Sequence, residues 1–138
     1  MGAQQSIQIP NERDKIDLVS KLFDQFGDQH GLSEKVVHDI QMALDELLTN
    51  IVNYGYEDDE EHLIDVHFEV QNSSLRVEIV DDAKTYNMLE REDPDTSLAI
   101  EDKPIGGLGV FLVKKLMSHV EYYTEADKNH FIMIKELE

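Results

Sequence analysis

Between Ser33 and Gly55 the chain repeats its apolar residues at the period of an α-helix. Val37, Ile40, Leu44, Leu47, Leu48 and Ile51 fall on one stripe. Ser33 is a good N-cap and Gly55 a good stop, so the spacing predicts a helix from about Glu34 to about Tyr54. Glu46, Asn50 and Asn53 gather on the opposite side. One face packs and the other offers polar groups. A carboxylate and a carboxamide four residues apart point the same way from successive turns, which suits Glu46 to hold a water and Asn50 to offer a carbonyl oxygen to a hard cation. Alone, the pair also describes the solvated face of any amphipathic helix.

The rest of the chain alternates with helical and strand-like periods. Gln4 to Ile9 read as a short strand ended by Pro10. Asn11 is placed to cap a first helix carrying Ile16, Val19, Leu22, Phe23 and Phe26, with Gly27 and Gly31 as its stop. Glu57 to Glu61 form an acidic run that reads as a solvated loop, with His62 beside it as an option for a surface metal ligand. Ile64, Val66, Phe68 and Val70 alternate strictly, Asn72-Ser73-Ser74 supply turn chemistry, and Leu75, Val77 and Ile79 alternate again. This is a hairpin whose second strand delivers Asp81 at its end. From Asp82 to Ile105 the chain is acidic, carries Pro94 and Pro104 and lacks periodicity, which describes either a lid or binding segment or a disordered insertion. Gly106-Gly107-Leu108-Gly109 then open a helix that contains Val110, Phe111, Val113, Leu116 and Met117. Glycines at a helix start allow a tight turn, and the unbonded amides there favour an anion such as phosphate. Two more alternating segments, Val120 to Thr124 and Phe131 to Lys135, close the chain across a turn at Asp127-Lys128-Asn129.

The 138 residues are the length of one domain, spanning 1–138, and suffice for a real core. The absence of cysteine excludes disulfides, thiolate zinc sites and cysteine nucleophiles. A net charge of −18 without clustered Lys or Arg argues against direct nucleic-acid binding and favours a basic protein partner. No apolar run reaches the length of a membrane span, so a soluble cytoplasmic protein without membrane attachment is expected.

The motifs become specific in their order: Glu46-x-x-x-Asn50 on a helix, Asp81 ending a strand, a long lid, and Gly106-Gly107-Leu108-Gly109 opening a helix. Together they resemble the GHKL or Bergerat-fold ATPases, most closely the small anti-sigma-factor serine kinases of bacteria, over nearly the whole chain. That resemblance implies an α+β fold: a two-layer α/β sandwich with a mixed, mainly antiparallel sheet and helices on one face. It implies ATP and Mg2+ as cofactors, with Glu46 as general base and Asn50 coordinating the magnesium. Asp81 would accept a hydrogen bond from the adenine amino group, with Asn53 and Ala83 also beside the nucleotide. The stretch Gly106, Gly107, Leu108 and Gly109 would hold phosphate oxygens, the segment of about 88–105 would close as the lid, and Lys103 would reach the phosphates. The implied function is a serine/threonine protein kinase that sequesters a sigma factor or equivalent target and phosphorylates a STAS-domain antagonist, as a homodimer. One departure stands out. Where the family reads D-x-G-x-x-F, this chain reads Asp81-Asp82-Ala83-Lys84-Thr85-Tyr86. Alanine adds a methyl group near the expected adenine plane and disfavours positive φ, which points to weaker nucleotide binding or a reshaped turn. It also favours an alternative reading, a non-catalytic partner-binding module of the same fold. Asp82 is expected to face away from Asp81.

Overall fold

The computed structural model describes residues 3–58, 60–84 and 107–137. Its elements are β1 (Ala3–Pro10), α1 (Ile16–Gln29), α2 (Glu34–Tyr54), β2 (Leu63–Gln71), β3 (Ser74–Asp81), α3 (Gly107–Leu116), β4 (His119–Glu125) and β5 (Lys128–Glu136), with a 3-10 turn at Arg13–Lys15 before α1. The strands form one five-stranded sheet in the order β1-β2-β3-β5-β4. Every described pairing is antiparallel.

Register decides which side chains meet. Ile9 lies opposite Ile64, Val66 opposite Ile79, Phe68 opposite Val77, Ile79 opposite Phe131 and Val77 opposite Met133. All of these are buried, so one face of the sheet is a continuous apolar surface. The helices cover it. Val19, Phe23 and Phe26 of α1, Ile40, Leu44, Leu47, Leu48 and Ile51 of α2, and Val113 of α3 join the same core cluster. The other sheet face carries polar pairs, Ser6 bonding His67 at 2.7 Å and His130 bonding Glu78 at 2.7 Å, together with Ile132 of β5, which is 3% exposed. Alternation of apolar and polar residues, clearest along β2, is therefore what makes this a two-layer fold, while β5 runs apolar from Phe131 to Ile134.

Three local expectations are corrected. Asn11 does not cap α1, which begins at Ile16 after the 3-10 turn and has no side-chain cap. Its amide donates to the His62 carbonyl at 2.9 Å and its Oδ1 accepts from the His62 amide at 3.0 Å, so a backbone pairing beyond the end of β1 wins over capping. Gly27 does not stop the first helix, which continues to Gln29. A Cβ at Gly27 would stand 2.6 Å from Val37 Cγ2, so the residue is there to let α1 and α2 approach. Asn129 is not a turn residue. The reversal lies at Ala126 and Asp127, with φ of 54° and 64°, the two-residue geometry that matches strand twist, and Asn129 sits buried inside β5.

Candidate functional site

The site begins on α2, capped as expected by Ser33, whose Oγ accepts from the Val36 amide at 3.2 Å. While Leu44, Leu47, Leu48 and Ile51 hold the helix to the core, Glu46 and Asn50 ride half-buried on its flank. Asn50 Nδ2 donates to Glu46 Oε2 at 2.8 Å. That bond fixes the carboxylate and turns the amide so that its oxygen is the end directed away from Glu46. The structure thus brings these two together. Asn53, by contrast, is exposed, and its side chain makes no hydrogen bond among the described residues.

At the C-terminal end of α2 the helix abuts the turn after β3. The Lys84 amide donates to the Gly55 carbonyl at 2.9 Å, and a Cβ on Gly55 would come within 2.7 Å of the Ala83 methyl. Ala83 therefore packs towards Gly55, and it does not take a positive φ. Alanine at the family's glycine position is accommodated without backbone strain. Asp81 ends β3 on the core face, only 5% exposed. Its Oδ1 accepts from the Ala83 amide at 2.9 Å and from Asn129 Nδ2 at 2.8 Å. Among the described residues Oδ2 takes no bond, yet no fully buried side-chain polar atom there lacks a partner, so Oδ2 opens to solvent. Burial pushes the Asp81 carboxyl up, and the bonds from Asn129 and Ala83 oppose that shift. One oxygen is pinned and the other is presented.

Asp82 faces the opposite way, as expected. Its Oδ2 pairs with His62 Nδ1 at 3.1 Å, and its Oδ1 accepts from the Tyr56 hydroxyl at 3.2 Å. His62 Nε2 engages Asp58 at 2.9 Å while its ring stacks on Tyr56 with centroids 4.3 Å apart. Both ring nitrogens are thus taken by carboxylates, and the cluster is an ion-pair clasp. Burial, with the Asp81 and Asp82 charges, pushes the Tyr56 hydroxyl well above its ordinary range. The bonds to Asp82 and then Asp58 raise the His62 pKa above 6.5. A group raised on folding stabilises fully below its unfolded pKa, and that contribution fades as pH climbs through the folded value. Urea midpoints should therefore fall as pH rises above about 6.5, and a His62→Ala variant should show less of that slope. Parallel slopes in the two proteins would remove the clasp from the account.

Helix α3 starts at Gly107, with Gly109 in its first turn, so the glycine stretch does open a helix. Gly106, Lys103 and the 88–105 segment lie outside the described residues. The other end of α3 is tied to α2 through Lys135, which donates to the Leu116 carbonyl and to Asp39 Oδ2, the latter at 3.2 Å. Asp39 is 5% exposed. Burial raises its pKa, but the bonds from Lys35 and Lys135 outweigh that and hold it low.

Sequence reading missed Asn129, which also donates to the Ala83 carbonyl at 2.8 Å, and Tyr122, whose hydroxyl donates to Asn129 Oδ1 at 2.8 Å. A signal existed. Asn129, Phe131 and Met133 share the period of a strand, so extending the alternation one step back puts Asn129 on the core face.

Comparison with known proteins places this geometry in context. Residues 9–135 match the histidine kinase-like ATPase domain. The serine-protein kinase RsbW of Listeria monocytogenes is 25% identical over 122 residues, 86% of this chain and 78% of that protein. The RsbW serine-protein kinase of Halalkalibacterium halodurans is 27% identical over 117 residues, 82% of this chain and 71% of that protein. Among solved structures, the RsbU and RsbW domains of a Mycobacterium tuberculosis protein superpose with a TM-score of 0.67 at 14% identity. That match covers 98% of this chain but 32% of the other, so this chain spans about a third of its length.

Proposed function

Because the chain belongs to the histidine kinase-like ATPase domain family, we propose that it is an ATP-dependent serine/threonine protein kinase that regulates transcription by partner switching. It binds a sigma factor or equivalent target and phosphorylates a STAS-type antagonist. The observation that carries this reading is the Glu46–Asn50 pair, bonded at 2.8 Å on the helix that abuts the Asp81 turn. Relatives named as serine-protein kinases support the reaction class.

In this reading each residue has a separable task. Phosphoryl transfer asks a protein mainly to position groups and offset charge. Glu46 accepts the proton of the attacking hydroxyl as its oxygen bonds to the γ-phosphorus of ATP, while the bond from that phosphorus to the bridging oxygen breaks and ADP leaves. Asn50 holds the carboxylate in place and directs an amide oxygen outward. An amide oxygen is a hard donor that fits Mg2+, so Asn50 would hold the ion, and the ion when bound would supply positive charge to offset that of the phosphates. Asp81 Oδ2 accepts from the adenine amino group, and the α3 amides at Gly107 and Gly109 face phosphate oxygens. Gly106, Lys103 and a lid of about 88–105 complete the proposed site. The alternative, a non-catalytic module, drew its support from Ala83, and the unstrained turn there weakens that support.

Calorimetric titration with ATP, in magnesium and again in EDTA, tests the reading. Binding that strengthens with magnesium is the expected result. No heat at millimolar ATP would overturn the kinase reading in favour of the binding module.

A further inference from the structure

We propose that Asn129, held in one orientation by Tyr122, is a positioning residue that sets Asp81 to select adenine over guanine. This rests on the reading of the site as a nucleotide site.

The geometry leaves the amide one arrangement. Both Nδ2 protons of Asn129 are used, one on Asp81 Oδ1 and one on the Ala83 carbonyl, each at 2.8 Å. Its Oδ1 receives the Tyr122 hydroxyl proton at 2.8 Å. Reversing the amide would set its oxygen against the Asp81 carboxylate and the Ala83 carbonyl, acceptor against acceptor with no proton between. Asn129 is 6% exposed, so water cannot readily repair that mismatch. The Asp81 carboxylate is constrained in turn. Rotating it would break both bonds to Oδ1, from Asn129 and from the Ala83 amide. Oδ2 is left as a single acceptor at a fixed position.

Base selection follows from that acceptor. Adenine carries an amino donor where guanine carries a carbonyl acceptor, so a fixed carboxylate oxygen accepts from one and repels the other. A loose or protonated carboxyl would discriminate less, because it could turn or donate. Asn129 opposes both failures. It also joins the Ala83 carbonyl to the same carboxylate that takes the Ala83 amide, bracing the turn from β5 where the family's glycine is absent.

The test compares Asn129→Ala and Tyr122→Phe with the wild type by titration with ATP and GTP across pH. For Asn129→Ala, ATP affinity should fall about tenfold or more, in line with the loss of a bond to a charged group, and the ATP-to-GTP ratio should narrow. Binding needs the ionised carboxylate, and the Asp81 pKa is already raised by burial. Removing Asn129 should move the pH at which ATP affinity is lost upward. Tyr122→Phe deletes one hydroxyl from a half-buried ring and leaves Asn129 Oδ1 without its donor, so it should lower the melting temperature by a few degrees while the protein still folds, and should shift both readouts in the same direction by less. Unchanged base ratio and pH midpoint in both variants would overturn the proposal. A wild type that binds neither nucleotide would sink the kinase reading and the base-selecting role together. Carbon-detected titration of the Asp81 carboxyl separates the causes: an upward move in Asn129→Ala means the brace exists without a nucleotide site, and no move means the brace itself is wrong.

Discussion

Replacing Glu46 with glutamine is expected to leave ATP binding within about threefold of wild type and to lower phosphoryl transfer by about 10²–10⁴-fold, the usual worth of a positioned general base. Glutamine is the informative replacement because its side-chain oxygen still accepts from Asn50 Nδ2, the bond seen at 2.8 Å. The half-buried flank of α2 should therefore keep its shape. What disappears is the capacity to take a proton. Transfer of labelled phosphate from ATP to a STAS-type antagonist, with calorimetry on the same preparations, reads the two quantities separately. A parallel fall in binding and transfer would mean that Glu46 is structural, and undiminished transfer would remove it from the chemistry.

The second large effect is on stability. Phe23→Ala should destabilise the protein by about 3–5 kcal/mol, the range for truncating a buried aromatic, out of a total that for domains of this kind is about 5–15 kcal/mol. The side chain is 0% exposed. Its ring meets Phe68 of β2 edge-on at a centroid distance of 4.8 Å and stacks at 6.0 Å on Phe26. One truncation thus opens a cavity where α1 meets the sheet and removes two aromatic contacts. Urea unfolding should show a lower midpoint with an unchanged slope. A loss below about 1 kcal/mol would mean that the surrounding side chains collapse into the gap.

Much of the fold was legible because period and burial agree. The stripe on α2, from Ile40 to Ile51, and the alternation in β2 and β3 match the buried residues. Glu46, Asn50 and Asp81 could be picked out in the same way, since helix spacing and a strand end fix where such side chains go. What escaped reading had non-local causes. Asn11 is a good cap by type, but its partner is His62, far along the chain. Gly27 resembles a stop until Val37 is seen against it. Asn129 belongs to a residue class that favours turns, and only the two positive φ values at Ala126 and Asp127 release it into the strand. At Ala83 the φ preference of glycine misleads, because the turn here makes no such demand.

The placement of the polar pair on α2 has a consequence for descent. The side chains that bind this helix to the sheet and those assigned the chemistry share a backbone but not a face. On the proposed reading, a lineage that lost the carboxylate at position 46 would lose a reaction while every residue beneath the helix stayed seated. Selection on folding is blind to that loss. A chain of this design can therefore outlive its own chemistry, persisting as a folded surface for whatever protein still binds it.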